Sequence, residues 1–254
     1  MHQQILMALS PPTAYGPIIQ SYGPAWYAKL ADNAANNTVL ATVGANGTLL
    51  GPVNGSTSRP SKNTSLVTTA SLLTSGADAA FNLAGSSVVQ GPNVVLSGTT
   101  GWTHTFLCKP TAQPGAGNSN NSSLCQFGDA TGVDAGCVEL ALQHVSGTSY
   151  QLRLLRSGVT QIGITTTTYT YGAKLFIVIR HLAGGNVEVW VNGVKELDIS
   201  SPGFTYATST FWYGAARYGS ATVTYYQLIG VIDELAVFNK PLSDVQLATL
   251  FAAS

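Results

Sequence analysis

The sequence predicts an all-β fold: two antiparallel sheets packed face to face, one short C-terminal helix, and an irregular N-terminal arm. Three observations predict it. Of 254 residues, 45% are hydrophobic but only 9% are charged, against roughly 25% in a typical soluble domain. Gly, Ser, Thr and Asn stand where the charge is missing; β-branched Thr and Val suit a pleated surface, while Gly and Asn suit turns. Short alternating segments also recur between turn signals with no helical pattern among them, which favours packed antiparallel sheets over βαβ units. Finally, a complete helix start signal occurs near the C-terminus.

The elements follow in order. Residues 1–35 read as an arm, because Pro11, Pro12, Pro17 and Pro24 disfavour regular helix or central strand. Tyr15, Tyr22, Trp26 and Tyr27 make that arm adhesive. Residues 36–254 read as one sandwich. Asn46-Gly47, Asn54-Gly55 and Arg59-Pro60 are turn signals, with short strands expected at Val39–Val43, Ser65–Thr69, Phe81–Leu83 and Val94–Ser97. Trp102–Lys109 is a stronger strand, with Trp102, Phe106 and Cys108 on one face. Leu124–Phe127 follows a polar loop. In Cys137–His144, Val138, Leu140 and Leu142 oppose Glu139, Ala141 and Gln143. Tyr150–Arg156 alternates likewise, and Thr165–Tyr171 reads as an edge strand. Leu175–His181, Val187–Val191 and Val194–Ile199 are strands; Asn192-Gly193 between the last two is the preferred pair for a two-residue type I′ turn. Phe211–Gly214, Thr222–Leu228 and Val231–Phe238 complete the set. Ser243 with Gln246 three residues on forms a capping box, Asp244 complements the helix dipole, and Val245, Leu247, Leu250 and Phe251 supply a packing face.

Three segments carry a resemblance. Gly230-Val231-Ile232-Asp233-Glu234-Leu235, followed by Pro241-Leu242-Ser243 and the helix, is similar to the closing strand and helix of the concanavalin A-like/laminin-G-like family. Phe176–His181 with the Val187–Val194 hairpin resembles that family's Tyr-Val-Asn-Gly-Val hairpin, Trp190 replacing the usual Tyr. Gly101–Pro110 looks like its core strand. The stretch Tyr15–Asp32 is similar to the opening of laminin-G-like modules in phage virion proteins. The resemblance implies a two-sheet jelly-roll sandwich of the concanavalin A-like kind.

Bond chemistry finds little foothold. The fold also hosts glucanases, whose Glu-x-Asp-x-x-Glu strand places two carboxylates at one site, and this chain has no such strand. Glu188 and Glu196 fall on opposite arms of a hairpin, and adjacent Asp233 and Glu234 are expected on opposite faces of a strand. There is no Gly-x-Ser-x-Gly elbow, and His2, His104, His144 and His181 are scattered. The expectation is therefore a non-enzyme without a catalytic residue or resident cofactor. Asp129 and Asp134, in one loop, are weak candidates for calcium, which many family members bind. Cys108, Cys125 and Cys137 read as buried thiols, with one disulfide as the other reading.

Eleven basic and eleven acidic residues cancel, so the cationic footprint of nucleic-acid binding is missing. No apolar run approaches the roughly 18 residues of a membrane span. The stretch Met1–Pro12 is a poor export signal, lacking Lys and Arg, yet the Thr- and Asn-rich composition suits an extracellular surface. A virion structural protein fits both: a capsid decoration or other exterior protein, at the virion surface, assembly-bound, with the capsid shell or tail as partner and Tyr15, Tyr22, Trp26 and Tyr27 as its docking arm. The alternative is an extracellular glycan-binding adhesin or tail receptor-binding module contacting a host-surface glycan. Trp212, Tyr213, Arg217 and Tyr218 are its candidate residues, with Trp190, Tyr169 and Tyr171 as further aromatics.

Overall fold

The computed structural model describes residues 14–30, 38–50, 68–73, 79–84, 88–96, 99–113, 121–129, 137–156, 160–200, 209–214, 216–218, 223–225 and 228–254. Helix α1 (Tyr15–Ser21) is followed by β1 (Trp26–Ala28), β2 (Thr38–Val39), β3 (Gly47–Leu50), β4 (Thr68–Ala70), β5 (Ala79–Ala84) and β6 (Val88–Gln90). Next come β7 (Trp102–Ala112), β8 (Asn121–Asp129), β9 (Val138–Ser146), β10 (Ser149–Arg156), β11 (Thr160–Ile164), β12 (Tyr169–Thr170) and β13 (Leu175–His181). The chain closes with β14 (Val187–Val191), β15 (Val194–Ile199), β16 (Ser209–Tyr213), β17 (Ala216–Tyr218), β18 (Val223–Tyr225), β19 (Ile229–Phe238) and α2 (Asp244–Ala253).

Two antiparallel sheets form the sandwich. The first runs β15-β14-β13-β7-β19-β5-β4, with β1 added beside β19; the second runs β11-β10-β9-β8-β16-β6-β3-β2, with β12 added beside β10. Strand alternation produces the core between them. Trp102, Phe106, Cys108, Ile177, Ile179, Val187, Val189 and Val191 enter it from the first sheet, and Phe127, Val138, Leu140, Leu142, Leu152, Leu154 and Phe211 from the second. The Asn192-Gly193 turn forms as expected, both residues in the left-handed region with φ of 50° and 80°. Cys108, Cys125 and Cys137 are free and buried; Cys108 and Cys125 enter the core from facing sheets rather than adjacent strands. Among the described residues no helix is long and apolar enough to cross a membrane.

The N-terminal segment departs from the expected arm. Pro17 is the third residue of α1, and in a first turn the missing N–H has no intrahelical acceptor to lose. Beyond α1, β1 pairs with β19, Trp26 opposite Val237 and Ala28 opposite Leu235. Trp26 lies in the inter-sheet core. Tyr15 and Tyr27 are buried in a second cluster on the outward face of the first sheet, with Ile19, Leu107, Phe176, Val178, Phe238, Leu242, Leu247 and Leu250; Tyr22 packs beside it. This segment is a layer of its own fold, not a free arm.

Asp233 and Glu234 hold that layer. Asp233 pairs with Leu107 but Ala236 with Thr105, so three steps along β19 span two along β7. The extra residue is a bulge, and Glu234 within it has φ 55°. Ile232 and Leu235 still enter the core, which leaves both carboxylates on the outward side, contrary to simple alternation. Asp233 Oδ2 accepts from Ser71 Oγ at 3.0 Å and Leu72 N at 2.9 Å, and Glu234 Oε2 accepts from the Tyr27 hydroxyl. Burial first, and the Glu234 charge second, hold the Tyr15 and Tyr27 phenols far above their usual range.

The expected capping box closes α2: Ser243 Oγ accepts from Gln246 N at 3.3 Å, and Ser243 N donates to Gln246 Oε1 at 2.9 Å. Arg180 ties α2 to the sheet through Glu188 at 2.5 Å, Asp244 at 2.6 Å and the Leu242 carbonyl at 2.6 Å.

Because Trp26 is fully buried, Trp26→Ala should cost about 3–5 kcal/mol, measured by urea unfolding. Tyr27→Phe leaves Glu234 short of a donor and should cost about 1–3 kcal/mol. A Trp26→Ala variant as stable as the parent would contradict the integrated role of β1.

Candidate functional site

Of the residues expected to meet a glycan, Trp212 and Tyr213 are buried. Tyr213 is fully buried in the core, its hydroxyl 3.3 Å from His104 Nδ1 and its ring edge-on to Phe106. Trp212 is 4% exposed and packs on Val88. Alternation sends one ring into the core and the other onto an outward face that is itself buried, so neither presents a ring to solvent. Arg217 and Tyr218 lie on β17, paired with β18; their side chains are outside the described residues. So are the Asp129 side chain and all of Asp134, the calcium candidates. Among the described residues no group of three His, Cys, Asp or Glu side chains is placed to hold a metal.

A different aromatic group gathers at one end of the sandwich. The β9–β10 turn sets Ser146 opposite Ser149 and His144 opposite Tyr150. On the other side of β10, β12 sets Tyr169 opposite Tyr150. Two backbone bonds then fix the next turn: Tyr171 N donates to Thr148 O at 3.1 Å, and Gly172 N to Pro110 O at 2.7 Å. Pro110 belongs to β7 of the opposite sheet, so this turn joins the two sheets at their end.

The rings form a stepped surface. His144 stacks on Tyr171 with centroids 5.7 Å apart and planes 28° apart. Tyr150 lies 4.9 Å from Tyr171 and 6.0 Å from Tyr169. Tyr150 is fully buried, whereas His144 and Tyr171 are half-buried, with Ser146, Thr148, Thr170 and Gly172 exposed around them. The Tyr171 hydroxyl meets His144 Nδ1, and Ser122 Oγ lies 3.4 Å from Nε2. Burial lowers the His144 pKa and pushes Tyr171 up to about 12. Both rings are therefore uncharged at neutral pH, and in the neutral imidazole one nitrogen accepts while the other donates. The result is an apolar, pre-set ring surface bordered by hydroxyls. Tyr169 and Tyr171 are visible in the sequence as aromatics; His144 is not visible as their neighbour, being 27 residues from Tyr171.

No protein-family model and no curated protein matches the chain. Solved structures do. Domain 4 of a GH43 extracellular arabinanase from Geobacillus stearothermophilus, in complex with arabinotriose, aligns over 89% of this chain and 97% of its own, with a TM-score of 0.62 at 17% identity. The ligand-binding domain of botulinum neurotoxin serotype D, in complex with N-acetylneuraminic acid, aligns over 95% of this chain with a TM-score of 0.55 at 12% identity; the match spans 53% of that chain. A heptameric SAP-like pentraxin from Limulus polyphemus aligns over 66% of this chain and 75% of its own, with a TM-score of 0.51 at 15% identity. The chain is a jelly-roll β-sandwich. At these identities the likeness establishes the fold, in agreement with the concanavalin A-like architecture expected from the closing strand and hairpin.

Three buried or part-buried histidines should make this sandwich acid-sensitive. Burial lowers the pKa of His104, His144 and His181, that of His104 to about 3. An unfolded histidine takes its proton near pH 6.5, so below that the unfolded state binds more protons. Stability is complete above about pH 6.5 and falls between there and about pH 3, by up to about 1.4 kcal/mol per pH unit for His104 alone. The urea midpoint should drop from neutral pH to about pH 4, and His104→Gln should flatten that drop. An unchanged slope would remove His104 as its cause.

Proposed function

We propose that this chain is a non-catalytic carbohydrate-binding sandwich that holds a sugar ring against Tyr171 and His144. The carrying observation is the half-exposed, uncharged His144–Tyr171 stack bordered by Ser146, Thr148 and Thr170. A sugar ring has an apolar C–H face and a hydroxyl edge, and this surface has an apolar ring face and a hydroxyl edge to match. The ring is also held in place before any ligand arrives, by Thr148 O, Pro110 O and His144, and preorganisation lowers the cost of binding. The arabinotriose and N-acetylneuraminic acid in two similar structures agree with this reading.

The virion-surface reading drew part of its support from Tyr15, Tyr22, Trp26 and Tyr27 as residues free to dock on a neighbour. Tyr15, Trp26 and Tyr27 are buried in their own chain, and that support falls away.

An oligosaccharide array followed by calorimetric titration tests the proposal. Tyr171→Ala should weaken binding about tenfold or more, roughly 1.4 kcal/mol. Tyr171→Phe keeps the ring and should stay within about threefold. The bound oligosaccharide should be recovered uncleaved. If no sugar binds, or if Tyr171→Ala binds as well as the parent, the platform reading is wrong.

A further inference from the structure

Among the described histidines His144 is half-buried, while His104 and His181 are buried. It continues the inward alternation of Val138, Leu140 and Leu142 on β9. Its ring therefore stands on the inner side of the second sheet, at the end of the sandwich, where one part meets protein and the rest meets water.

The groups that face this ring are neutral. From β8, Ser122 Oγ lies 3.4 Å from Nε2. From β10, Tyr150 stands directly opposite in register, with Tyr169 of β12 behind it at 6.0 Å. From the turn beyond β12, Tyr171 stacks on the ring and its hydroxyl meets Nδ1. From the first sheet, Cys108 acts on Tyr150. Burial holds the Cys108 thiol and the phenols of Tyr150, Tyr169 and Tyr171 above their usual ranges, so all stay uncharged at neutral pH. The charged groups nearby are turned elsewhere. Glu196 accepts from Thr167 Oγ1 at 2.8 and 2.9 Å and acts on Tyr169, not on Tyr171 or His144. Lys174 donates to the Ser254 carbonyl at 3.2 Å, and Lys109 alternates with the inward Cys108 and so faces away. An imidazolium here would be held by water on its open side, since no facing carboxylate offsets its charge. Burial already lowers the pKa of His144. A neutral sugar ring laid on the His144–Tyr171 stack removes more of that water and supplies no charge in exchange.

We propose that sugar binding at this platform is coupled to loss of the proton from His144, so that the site holds its ligand at neutral pH and releases it on acidification. This rests on the carbohydrate-binding reading above and adds regulation to it. The coupling is reciprocal: the factor by which sugar disfavours the imidazolium is the factor by which the imidazolium disfavours sugar. The sign follows. An ordinary histidine takes its proton near pH 6.5, and His144 does so below that. Affinity is therefore constant above about pH 6.5 and falls as pH drops through the folded pKa, by up to about tenfold per pH unit.

The experiment titrates the His144 ring by NMR in the free chain and in the chain saturated with a neutral oligosaccharide, taken from a panel that includes arabinotriose. Saturation should lower the His144 pKa by about one unit or more. Calorimetric affinity should be about tenfold weaker one pH unit below the free-chain pKa than at about pH 7.5, with near-UV circular dichroism showing the chain folded at both. His144→Phe keeps an apolar ring in the stack; it should bind within about threefold of the parent at neutral pH and lose the pH dependence. If that variant does not fold, the pKa comparison on the parent chain decides alone. A bound sugar that leaves the His144 pKa unchanged, or a pH dependence that persists in His144→Phe, overturns the coupling and leaves the Tyr171 platform standing. Failure of every neutral oligosaccharide to bind at neutral pH overturns both.

Discussion

Strand β19 has more neighbours than any edge could leave open. On one side β7 follows it from Ile229 to Phe238; on the other, β5 takes Ile229–Ile232 and β1 takes Leu235–Val237. The bulge at Asp233 and Glu234 falls where β5 ends and β1 has not begun. A left-handed, non-glycine residue such as Glu234 costs roughly 1–3 kcal/mol, and two buried carboxylates cost more unless hydrogen-bonded. Both costs are offset by the same contacts. Asp233 takes Ser71 and Leu72, Glu234 takes Tyr27, and Tyr27 is thereby fixed over Ala236 and Phe238 in the outward cluster. The strained residue thus positions the N-terminal segment that covers half of its strand.

With α1, β1 and α2 packed on it, the outward face of the first sheet is occupied by its own chain. Arg180 completes that layer: its guanidinium reaches Glu188 on β14, Asp244 at the start of α2 and the Leu242 carbonyl. Trp190 adds its indole N–H to Glu188 at 3.0 Å. Around Arg180, among the described residues, acids and base are matched to one another.

The parts of the fold legible in the sequence are those set by residues close together in the chain. The Asn192-Gly193 turn, the Ser243–Gln246 box and the alternation of β9 each depend on a few neighbours, and each formed as expected. Helix α1 was missed because Pro17 reads as a breaker unless its place in the first turn is known. The bulge was missed because a period-two pattern has no room for one extra residue. Trp212 and Tyr213 read as binding aromatics because sequence proximity says nothing about exposure. The ring stack itself joins His144 to Tyr171 with β10, β11 and β12 between them in the chain. The alternation of Glu139, Ala141 and Gln143 was visible, but its alignment with Arg153 and Ser123 belongs to register.

Tyr171 sits on a turn bonded to both sheets, to Thr148 O in one and Pro110 O in the other, so relative movement of the sheets must strain it. Its ring is held by the fold and needs no ligand to take its pose. A surface already in its pose loses little conformational freedom when something docks on it, so the proposed Tyr171 platform needs no ordering step before a sugar ring can lie against it.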